Sequence, residues 1–463
     1  MHGKSIVHSA VFAMLDANLS KKGMMEMKKA ISLLSVILAV ILLFSACRSG
    51  GNTGGSGTMG NLREEETTQS KALHQSEVPQ GFIGIYTVED LINSGANVGG
   101  NYILMNDLDL SSVEDWESIK NTAIFDGNNY TISNLHSTQG GLFSEAGTVK
   151  NLNIKECSID AYHSNSKVKY VGAIAGSCTF AQNCSASGKV KLALSTACDV
   201  IKQYAVGGLF GYQNPEKSSL ISACTNDVDV LGITCSNGIG HSFDLFAGGI
   251  VGLGHTAEYC KNNASIELKR GEKECDQVWD KSAAGGIVGG VYMQLGNISY
   301  SSNGGDVRTN YYGGGILGFC YEESTVLSID SCYNTGNITG SKTRLGTETS
   351  VGGILGYIVH YKPIRETTES KIINCYNTGI CQSADYCGAI LGYKLEEDAT
   401  QIRFCAYSNE SGLNITGTSA MYADNKAMTL EEMKKLNNYP FDNREQSWKT
   451  GTGNYPYPVF KGE

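Results

Sequence analysis

The residues from Val206 to Gly211 read VGGLFG, and close copies of this hexamer recur along the chain. A weaker copy, QGGLFS, comes first, and the copies begin at Gln139, Val171, Val206, Ala247, Ala284, Gly313, Val351 and Cys387. Successive copies begin 32, 35, 41, 37, 29, 38 and 36 residues apart. A period of this size is typical of a solenoid, in which each repeat packs on its neighbours.

Each repeat contains three short apolar segments, rich in Val, Ile and Tyr and separated by Gly, Asn or Ser. The hexamer is the first segment, the second ends near a pair such as Asn183-Cys184, and the third follows a turn. Such segments are typical of strands. The pattern predicts an all-β fold, a right-handed parallel β-helix of about 8–10 coils with a short helical cap at each end. A β-propeller is the alternative, but its blades have four strands.

The fourth residue of every hexamer is Ile or Leu, which predicts an aliphatic ladder inside the β-helix. The glycines at the second and third positions are expected where backbones approach closely or turn a corner. The ladder consists of Leu142, Ile174, Leu209, Ile250, Ile287, Ile316, Ile354 and Ile390.

The first 46 residues have the features of a signal peptide. Lys28 and Lys29 precede an apolar run, 31–44, and Met27 is the expected start. Small residues then precede Cys47, an arrangement that resembles the lipobox of bacterial lipoproteins and implies a lipid on the Cys47 thiol. The alternative is an ordinary secretory signal followed by an incidental cysteine.

The sequence divides into four parts. Residues 1–46 are the predicted signal peptide, and residues 47–82 carry Cys47 and a flexible tether with few large apolar residues. Residues 83–427 form the predicted β-helix, and residues 428–463 form a C-terminal capping helix and tail. Thr87 with Asp90, and Thr429 with Glu432, predict capping boxes at the two ends. Trp448 and Phe460 are expected to fill the last open coil.

The chain is acidic, with a formal net charge of −10 and a pI near 5.4. Removal of residues 1–46, which carry five lysines and two carboxylates, leaves −13. This balance argues against nucleic acid as a partner, because phosphate binding requires a basic surface. It also predicts attachment to the membrane through the lipid and not through a basic patch.

The hexamers resemble the GLUG-motif family, whose repeats carry a Val-Gly-Gly-Leu-Val-Gly core. Residues 101–111 are similar to the opening coil of such proteins, and residues 448–460 to their usual ending, so the resemblance covers about residues 84–460. It implies a secreted or surface-attached bacterial protein with β-helix segments, without implying one activity. Some relatives are immunoglobulin-cleaving metallopeptidases with a zinc protease domain, but this sequence has no His-Glu-x-x-His motif.

Catalytic signatures are absent from the sequence. No Gly-x-Ser-x-Gly lies between a strand and a helix, and no facing pair of acids identifies a glycosidase. We therefore expect a protein that is not an enzyme and has no cofactor. Asn106, Asp107 and Asp109 are weak candidate ligands for calcium, since they supply oxygen atoms at close spacing. The alternative is that these side chains lie in a solvated turn.

Fourteen cysteines follow Cys47, and six of them occupy the Asn-Cys position of the repeat. One repeat has serine there, so these cysteines are expected to be small, buried, free thiols. Secretion would also permit disulfides, for which Cys178–Cys184 and Cys320–Cys332 are the candidates.

An aromatic residue often follows the hexamer, at Tyr212, Phe319, Tyr357 and Tyr393. Stacked coils would align these residues into an outward stripe, which suits sugar rings or protein partners. They are the candidate ligand-binding residues. The alternative is that loops such as 321–330 and 358–370 cover the stripe.

Together these features predict a monomeric, lipid-anchored protein on the extracellular face of a bacterial cell membrane. Its expected role is adhesion, through binding of a glycan or of a host or cell-surface protein along the β-helix. Two alternatives remain: a carbohydrate-active enzyme with a cleft along the β-helix, and a passive envelope stalk.

Overall fold

The computed structural model describes residues 74–461 except 98, 164–168, 195–202, 217–218, 235–243, 272–280, 293–294, 323–325, 343–347, 361–369, 384, 395–399, 418–423 and 454. The predicted signal peptide and Cys47 lie outside the described residues. Among the described residues, no helix combines the length and the apolar character needed to cross a membrane.

Three parallel sheets run along the molecule, and the chain visits them in turn, so the repeats form a parallel β-helix as predicted. Sheet 1 has 17 strands in eleven rungs, five of one strand and six of two, slightly more than the expected number of coils. Its strands are Ile83–Ile85, Asn101–Leu104, Ile119–Asp126, Phe143–Lys150, Ala175–Gln182, Phe210–Gln213, Leu220–Ser222, Val251–Leu253, Thr256–Glu258, Val288–Tyr292, Gly296–Ser299, Leu317–Glu322, Leu327–Asp330, Leu355–His360, Lys371–Ile373, Leu391–Lys394 and Gln401–Arg403.

Sheet 2 has 16 strands and sheet 3 has seven. The strands of sheet 2 are Leu108–Asp109, Thr131–Ser133, His136–Ser137, Asn153–His163, Ser185–Leu194, Thr225–Thr234, Lys261–Asn262, Ile266–Arg270, Ser302–Asn303, Val307–Thr309, Tyr333–Asn334, Ile338–Gly340, Tyr376–Asn377, Cys381–Gln382, Ala406–Ser408 and Lys426–Met428. The strands of sheet 3 are Tyr170–Val171, Gln203–Gly207, Asp244–Gly248, Ala283–Gly285, Tyr312–Gly314, Ser350–Gly352 and Tyr386–Gly388.

The hexamer forms the corner between sheet 3 and sheet 1. Gln203–Gly207 ends in sheet 3 and Phe210–Gln213 begins in sheet 1, so Gly208 and Leu209 make the turn. A Cβ atom on Gly207 would lie 1.9 Å from the carbonyl oxygen of Phe210, and one on Gly208 would lie 2.1 Å from Oδ1 of Asn226. Glycine is therefore required at both positions of this copy. Two other copies have alanine, Ala173 and Ala389, at the third position.

The predicted aliphatic ladder lies in the core. All eight of its members are fully buried. Backbone bonds link successive rungs, such as Ile250 N–H to Ile287 O at 3.0 Å and Ile287 N–H to Ile316 O at 3.1 Å. Burial of one such side chain contributes about 1.5–3 kcal/mol, so the repeated corner is a main source of stability.

The Asn-Cys pair marks the corner between sheets 1 and 2. The residue before the cysteine, or before its counterpart, has a φ of 47° to 57°, a left-handed conformation that asparagine tolerates better than most residues. The next side chain points inward. No disulfide joins any two of the eleven described cysteines, and ten of them are buried. Burial raises the pKa of the Cys157 thiol to about 11, which makes it a poor nucleophile at neutral pH.

A column of buried asparagines, which the sequence analysis did not identify, follows these cysteines by two residues. Four of the five side-chain amides, all but that of Asn377, donate to the Oδ1 of the asparagine in the next coil at 2.7 to 2.8 Å. All five also donate to the carbonyl two residues further along the chain. The column satisfies buried polar groups at a tight turn and fixes the register of the coils. Its members are Asn226, Asn262, Asn303, Asn334 and Asn377.

Both predicted capping boxes are present. The helix Val88–Ser94 has Thr87 as its N-cap, with the Asp90 backbone N–H donating to Thr87 Oγ1 at 3.1 Å. The helix Leu430–Met433 has Thr429 in the same role. The other short elements are the 3₁₀ helices Asn409–Ser411 and Leu436–Asn438, the helix Arg444–Ser447 and an antiparallel pair, Trp448–Lys449 with Val459–Phe460.

The C-terminal segment 429–461, called the clasp below, lies in a different place from the one expected. Trp448 and Phe460 do not fill the last coil but pack outside sheet 2, on the rings of Tyr333 and Tyr376. The hydroxyl of Tyr376 donates to the carbonyl of Pro458 at 2.6 Å. The clasp follows the side of the β-helix because these outward tyrosines offer it a large apolar surface.

Candidate functional site

Two rows of side chains run along the outside of the corner between sheets 3 and 1, and together they are called the outer aromatic ribbon. One row is the position after each hexamer, where the structure pairs Tyr212, Leu253, Gly290, Phe319, Tyr357 and Tyr393. The other row is the position before each hexamer, where it pairs Tyr170, Ala205, Phe246, Ala283, Tyr312, Ser350 and Tyr386. The alignment predicted for the first row is therefore present. The second row was not predicted, although the residue directly before each copy of the hexamer would have revealed it.

Large and small residues alternate along the second row, which leaves room for its rings to stack on those of the first row in the next coil. Tyr170 stacks on Tyr212 of the next coil, with ring centroids 4.6 Å apart. Tyr312 stacks on Tyr357 at 4.5 Å, and Tyr357 on Tyr393 at 5.2 Å. Parallel rings at these distances attract one another, so the ribbon is a preorganised surface.

The middle of the ribbon is closed and its two ends are partly open. Phe246 and Phe319 are buried, at 0% and 1% exposure. Tyr212 at one end, and Tyr357 and Tyr393 at the other, are only half-buried. Phe319 therefore supports its neighbours but cannot itself contact a ligand, which corrects one of the four predicted binding residues. Of the two loops proposed as covers, 321–330 and 358–370, residues 323–325 and 361–369 lie outside the described residues.

Lysine side chains lie over ribbon tyrosines and over the adjoining pair Tyr292 and Tyr321. The ammonium of Lys281 is 4.0 Å from the centroid of the Tyr321 ring, and that of Lys169 is 4.7 Å from the centroid of Tyr170. These are cation–π distances. Burial lowers the pKa of Lys169 and raises that of Tyr170.

A cavity of about 90 Å³ adjoins the ribbon and is lined by Tyr212, Gln213, Leu253 and His255, among others. The His255 ring is 8% exposed, and its Nδ1 has no hydrogen-bond partner among the described residues. Burial lowers the pKa of His255, so the ring is neutral at pH 7. The cavity has room for roughly three water molecules, at the ~30 Å³ that each occupies in the liquid.

The three candidate calcium ligands are held in hydrogen bonds with protein groups. Asp107 accepts from the Thr131 N–H at 2.7 Å, and Asn106 donates to the Tyr86 carbonyl. Asp109 accepts from Asn134, which lowers its pKa. In the part of the chain that the structure describes, no group of three His, Cys, Asp or Glu side chains could hold a metal ion.

Comparisons with known proteins identify no family for this chain. No protein-family model matches it, and no curated protein matches it. One similar solved structure, from Bacteroides ovatus, is provisionally assigned as an immunoglobulin A1 protease; it is 18% identical, covers 82% of this chain and 92% of its own, and has a TM-score of 0.40. A second, an IgA1 protease, is 16% identical with a TM-score of 0.40, and the match covers 71% of this chain but only 21% of that protein. Similarity at this level does not support the transfer of an activity.

Proposed function

We propose that this chain is a lipid-anchored protein of the bacterial cell surface that binds glycans through the outer aromatic ribbon and has no catalytic role. The observation that carries the proposal is the stacking of half-buried tyrosines at both ends of the ribbon. Flat rings with polar hydroxyls at their edges suit the apolar faces of sugar rings.

The spacing of the two ends favours an extended ligand. Tyr212 and Tyr357 are four rungs apart, on the order of 19 Å at the usual distance between strands. A saccharide chain that contacts both ends would gain affinity from two weak contacts made at once. The Cys47 thiol, once acylated, would hold the protein at the membrane.

A glycan array with the double variant Tyr357→Ala/Tyr393→Ala tests the proposal. We expect the signal to fall at least tenfold, while Tyr162→Ala, which changes a tyrosine that is 58% exposed on sheet 2, leaves it unchanged. An unchanged signal in the double variant would remove the ribbon as the binding surface. Binding of no glycan by the native chain would favour the stalk, and release of reducing sugar would favour the enzyme.

Metabolic labelling tests membrane attachment. Cells that express the protein are grown with a fatty-acid analogue, and the analogue is afterwards coupled to a dye. The native chain should be labelled and should fractionate with membranes. The Cys47→Ser variant should not be labelled and should not fractionate with membranes. Labelling of Cys47→Ser would show that the lipobox interpretation is wrong.

A further inference from the structure

The corner between sheets 1 and 2 carries an outward row of side chains, called the corner column below. It has one residue on each of six consecutive rungs, and all six have a left-handed φ of 47° to 54°. The backbone N–H of each residue donates to a carbonyl of the next rung at 2.9 to 3.3 Å, so the six positions are in register. The column consists of Asn183, Ala223, Tyr259, Tyr300, Ser331 and Asn374.

The two halves of the corner column carry matching side chains in opposite order. From the middle outward, each half has a tyrosine, then a small residue, then an asparagine. The two tyrosines, Tyr259 and Tyr300, stack at 4.9 Å with their planes 6° apart. In each half the amide nitrogen of the asparagine donates to an adjacent side chain at 3.0 to 3.1 Å, which leaves the oxygen Oδ1 for a further partner.

The clasp covers the second half of the column. The backbone N–H of Asp442 donates to Oδ1 of Asn374 at 3.0 Å. The side-chain amide of Asn443 donates to the hydroxyl of Ser331 at 2.6 Å, and Phe460 packs edge-on against the tyrosine of this half. Ser331 and Asn374 are buried as a result. A polypeptide segment is thus what this set of side chains holds.

The first half has no such cover. Asn183 and Ala223 are exposed, and Tyr259 is 57% exposed. Among the described residues, no group donates to Oδ1 of Asn183, and no ring except that of Tyr300 stacks on Tyr259. Tyrosine is uncommon in the left-handed conformation, and an exposed ring gains little from packing to offset it. The first half is therefore a preformed surface that the fold itself does not use.

The small side chain of Ala223 leaves a slot between its two neighbours. Asn183 and Tyr259 lie two rungs apart, about 9.6 Å at the usual distance between strands. One face of the Tyr259 ring stacks on Tyr300 at the distance of one rung, and the other face is on the side of Ala223, where the column has no ring. A flat ring stacked on that face would fill the slot.

We propose that the first half of the corner column docks a polypeptide segment of a partner protein, with an aromatic side chain inserted over Ala223. The inserted ring stacks on the free face of Tyr259, and a backbone N–H of the segment donates to Oδ1 of Asn183. The clasp makes both kinds of contact in the second half, and an aromatic anchor in a fitted slot is a usual centre of protein interfaces. This site lies on a different corner from the outer aromatic ribbon and does not require that the ribbon bind glycans.

Selection from a phage-displayed library of random dodecapeptides tests the proposal. The library is first depleted on the Ala223→Tyr variant and then selected on the immobilised full chain. Peptides that survive are synthesised with a fluorescent label, and their affinity for the full chain is measured by fluorescence anisotropy. We expect the selected peptides to share an aromatic residue.

Two substitutions at Ala223 form a matched pair. Ala223→Tyr fills the slot with a side chain that Tyr259 and Tyr300 already hold in the same backbone conformation. It should lower the affinity at least tenfold without lowering the melting temperature. Ala223→Ser reproduces the small residue of the second half, Ser331, and should bind within twofold of the native chain.

The other contacts are tested one at a time. Tyr259→Ala should lower the affinity at least tenfold, and Asn183→Ala should lower it several-fold. Tyr357→Ala/Tyr393→Ala should bind as the native chain does, which separates this site from the ribbon. Circular dichroism of each variant identifies any loss that is due to unfolding.

Three results would overturn the proposal: no peptide enriched after depletion, enriched peptides without an aromatic residue, or native affinity in Tyr259→Ala. A glycan-array signal that is lost in Ala223→Tyr but kept in Ala223→Ser would show that the slot takes a sugar ring instead. Dimers of the native chain that are absent in Ala223→Tyr would assign the slot to a second copy of this chain.

Discussion

The tyrosines under the clasp and those of the outer aromatic ribbon have the same arrangement but different burial. Tyr333 and Tyr376 stack at 5.0 Å on adjacent rungs of sheet 2, and Tyr357 and Tyr393 stack at 5.2 Å on adjacent rungs of sheet 1. The first pair is buried beneath the clasp, whereas the second is half-buried. Stacked coils thus produce flat aromatic surfaces wherever the sequence repeats a tyrosine.

The clasp shows what such a surface can hold. It seats Trp448 and Phe460 on the tyrosines, and it satisfies the Tyr376 hydroxyl through Pro458 and through Tyr455 at 2.7 Å. An external ligand of the ribbon would need the same combination, a flat apolar face together with polar groups at its edge. Three predictions test how far the two surfaces differ.

The largest difference is expected when a large side chain is removed from each surface. Trp448 is 1% exposed and packs on Tyr376, Phe441 and Phe460, so Trp448→Ala should lower the free energy of unfolding by about 3–5 kcal/mol. Tyr393→Ala, on the half-buried end of the ribbon, should cost about 1 kcal/mol. Urea denaturation of both variants measures the difference. Similar losses would mean that the two surfaces are equally important for stability.

A smaller difference is expected from single hydroxyl groups. Tyr376→Phe removes the partner of the Pro458 carbonyl and of the Tyr455 hydroxyl, which should cost about 1–3 kcal/mol. Tyr393→Phe should change stability by less than about 0.5 kcal/mol, since no described group bonds to its hydroxyl. Limited proteolysis should also release the clasp faster in Tyr376→Phe. Equal proteolysis of both variants would contradict the role assigned to the hydroxyl.

The smallest effect is expected at acid pH, beside the ribbon. Burial lowers the pKa of His255 in the folded chain below its usual 6.5. Between that lowered pKa and pH 6.5, His255 is therefore protonated in the unfolded chain but neutral in the folded chain. This contribution to stability is complete above pH 6.5 and is lost as pH falls towards the folded pKa. Each unit of pKa depression corresponds to at most about 1.4 kcal/mol.

The matched variants are His255→Leu and His136→Leu, the second of which changes an exposed histidine. Stability measured at pH 7.5 and pH 5.0 should depend less on pH in His255→Leu than in the native chain, and should depend normally in His136→Leu. An unchanged dependence in His255→Leu would show that the ring is not protected from protonation.

The repeated corner could be predicted from sequence because one physical requirement recurs there. Gly207 and its counterparts in the other six strong copies have no room for a Cβ, and Leu209 and its counterparts are buried, so few residues are allowed. The caps at Thr87 and Thr429 were also predictable, since a capping box is a local pattern.

Two features depended on contacts between coils and were not predicted. The asparagine column had a usable signal, an Asn two residues after each Cys at 224, 260, 332 and 375, and after Ser301. The position of the clasp had none, because Trp448 can cover either an open end or an outer face. Only the three-dimensional alignment of Tyr333 and Tyr376 creates the aromatic surface on which the clasp packs.

The asparagine column restricts how the length of this protein can change during evolution. Its chain of amide bonds runs in one direction, from Asn226 to Asn377, through coils of 31 to 43 residues, so loops of different length leave it intact, whereas a coil that lacks its asparagine breaks it. Duplication or deletion of an entire coil would leave every link intact. The length of the β-helix along its axis should therefore vary among related proteins in steps of about 4.8 Å, one step for each coil.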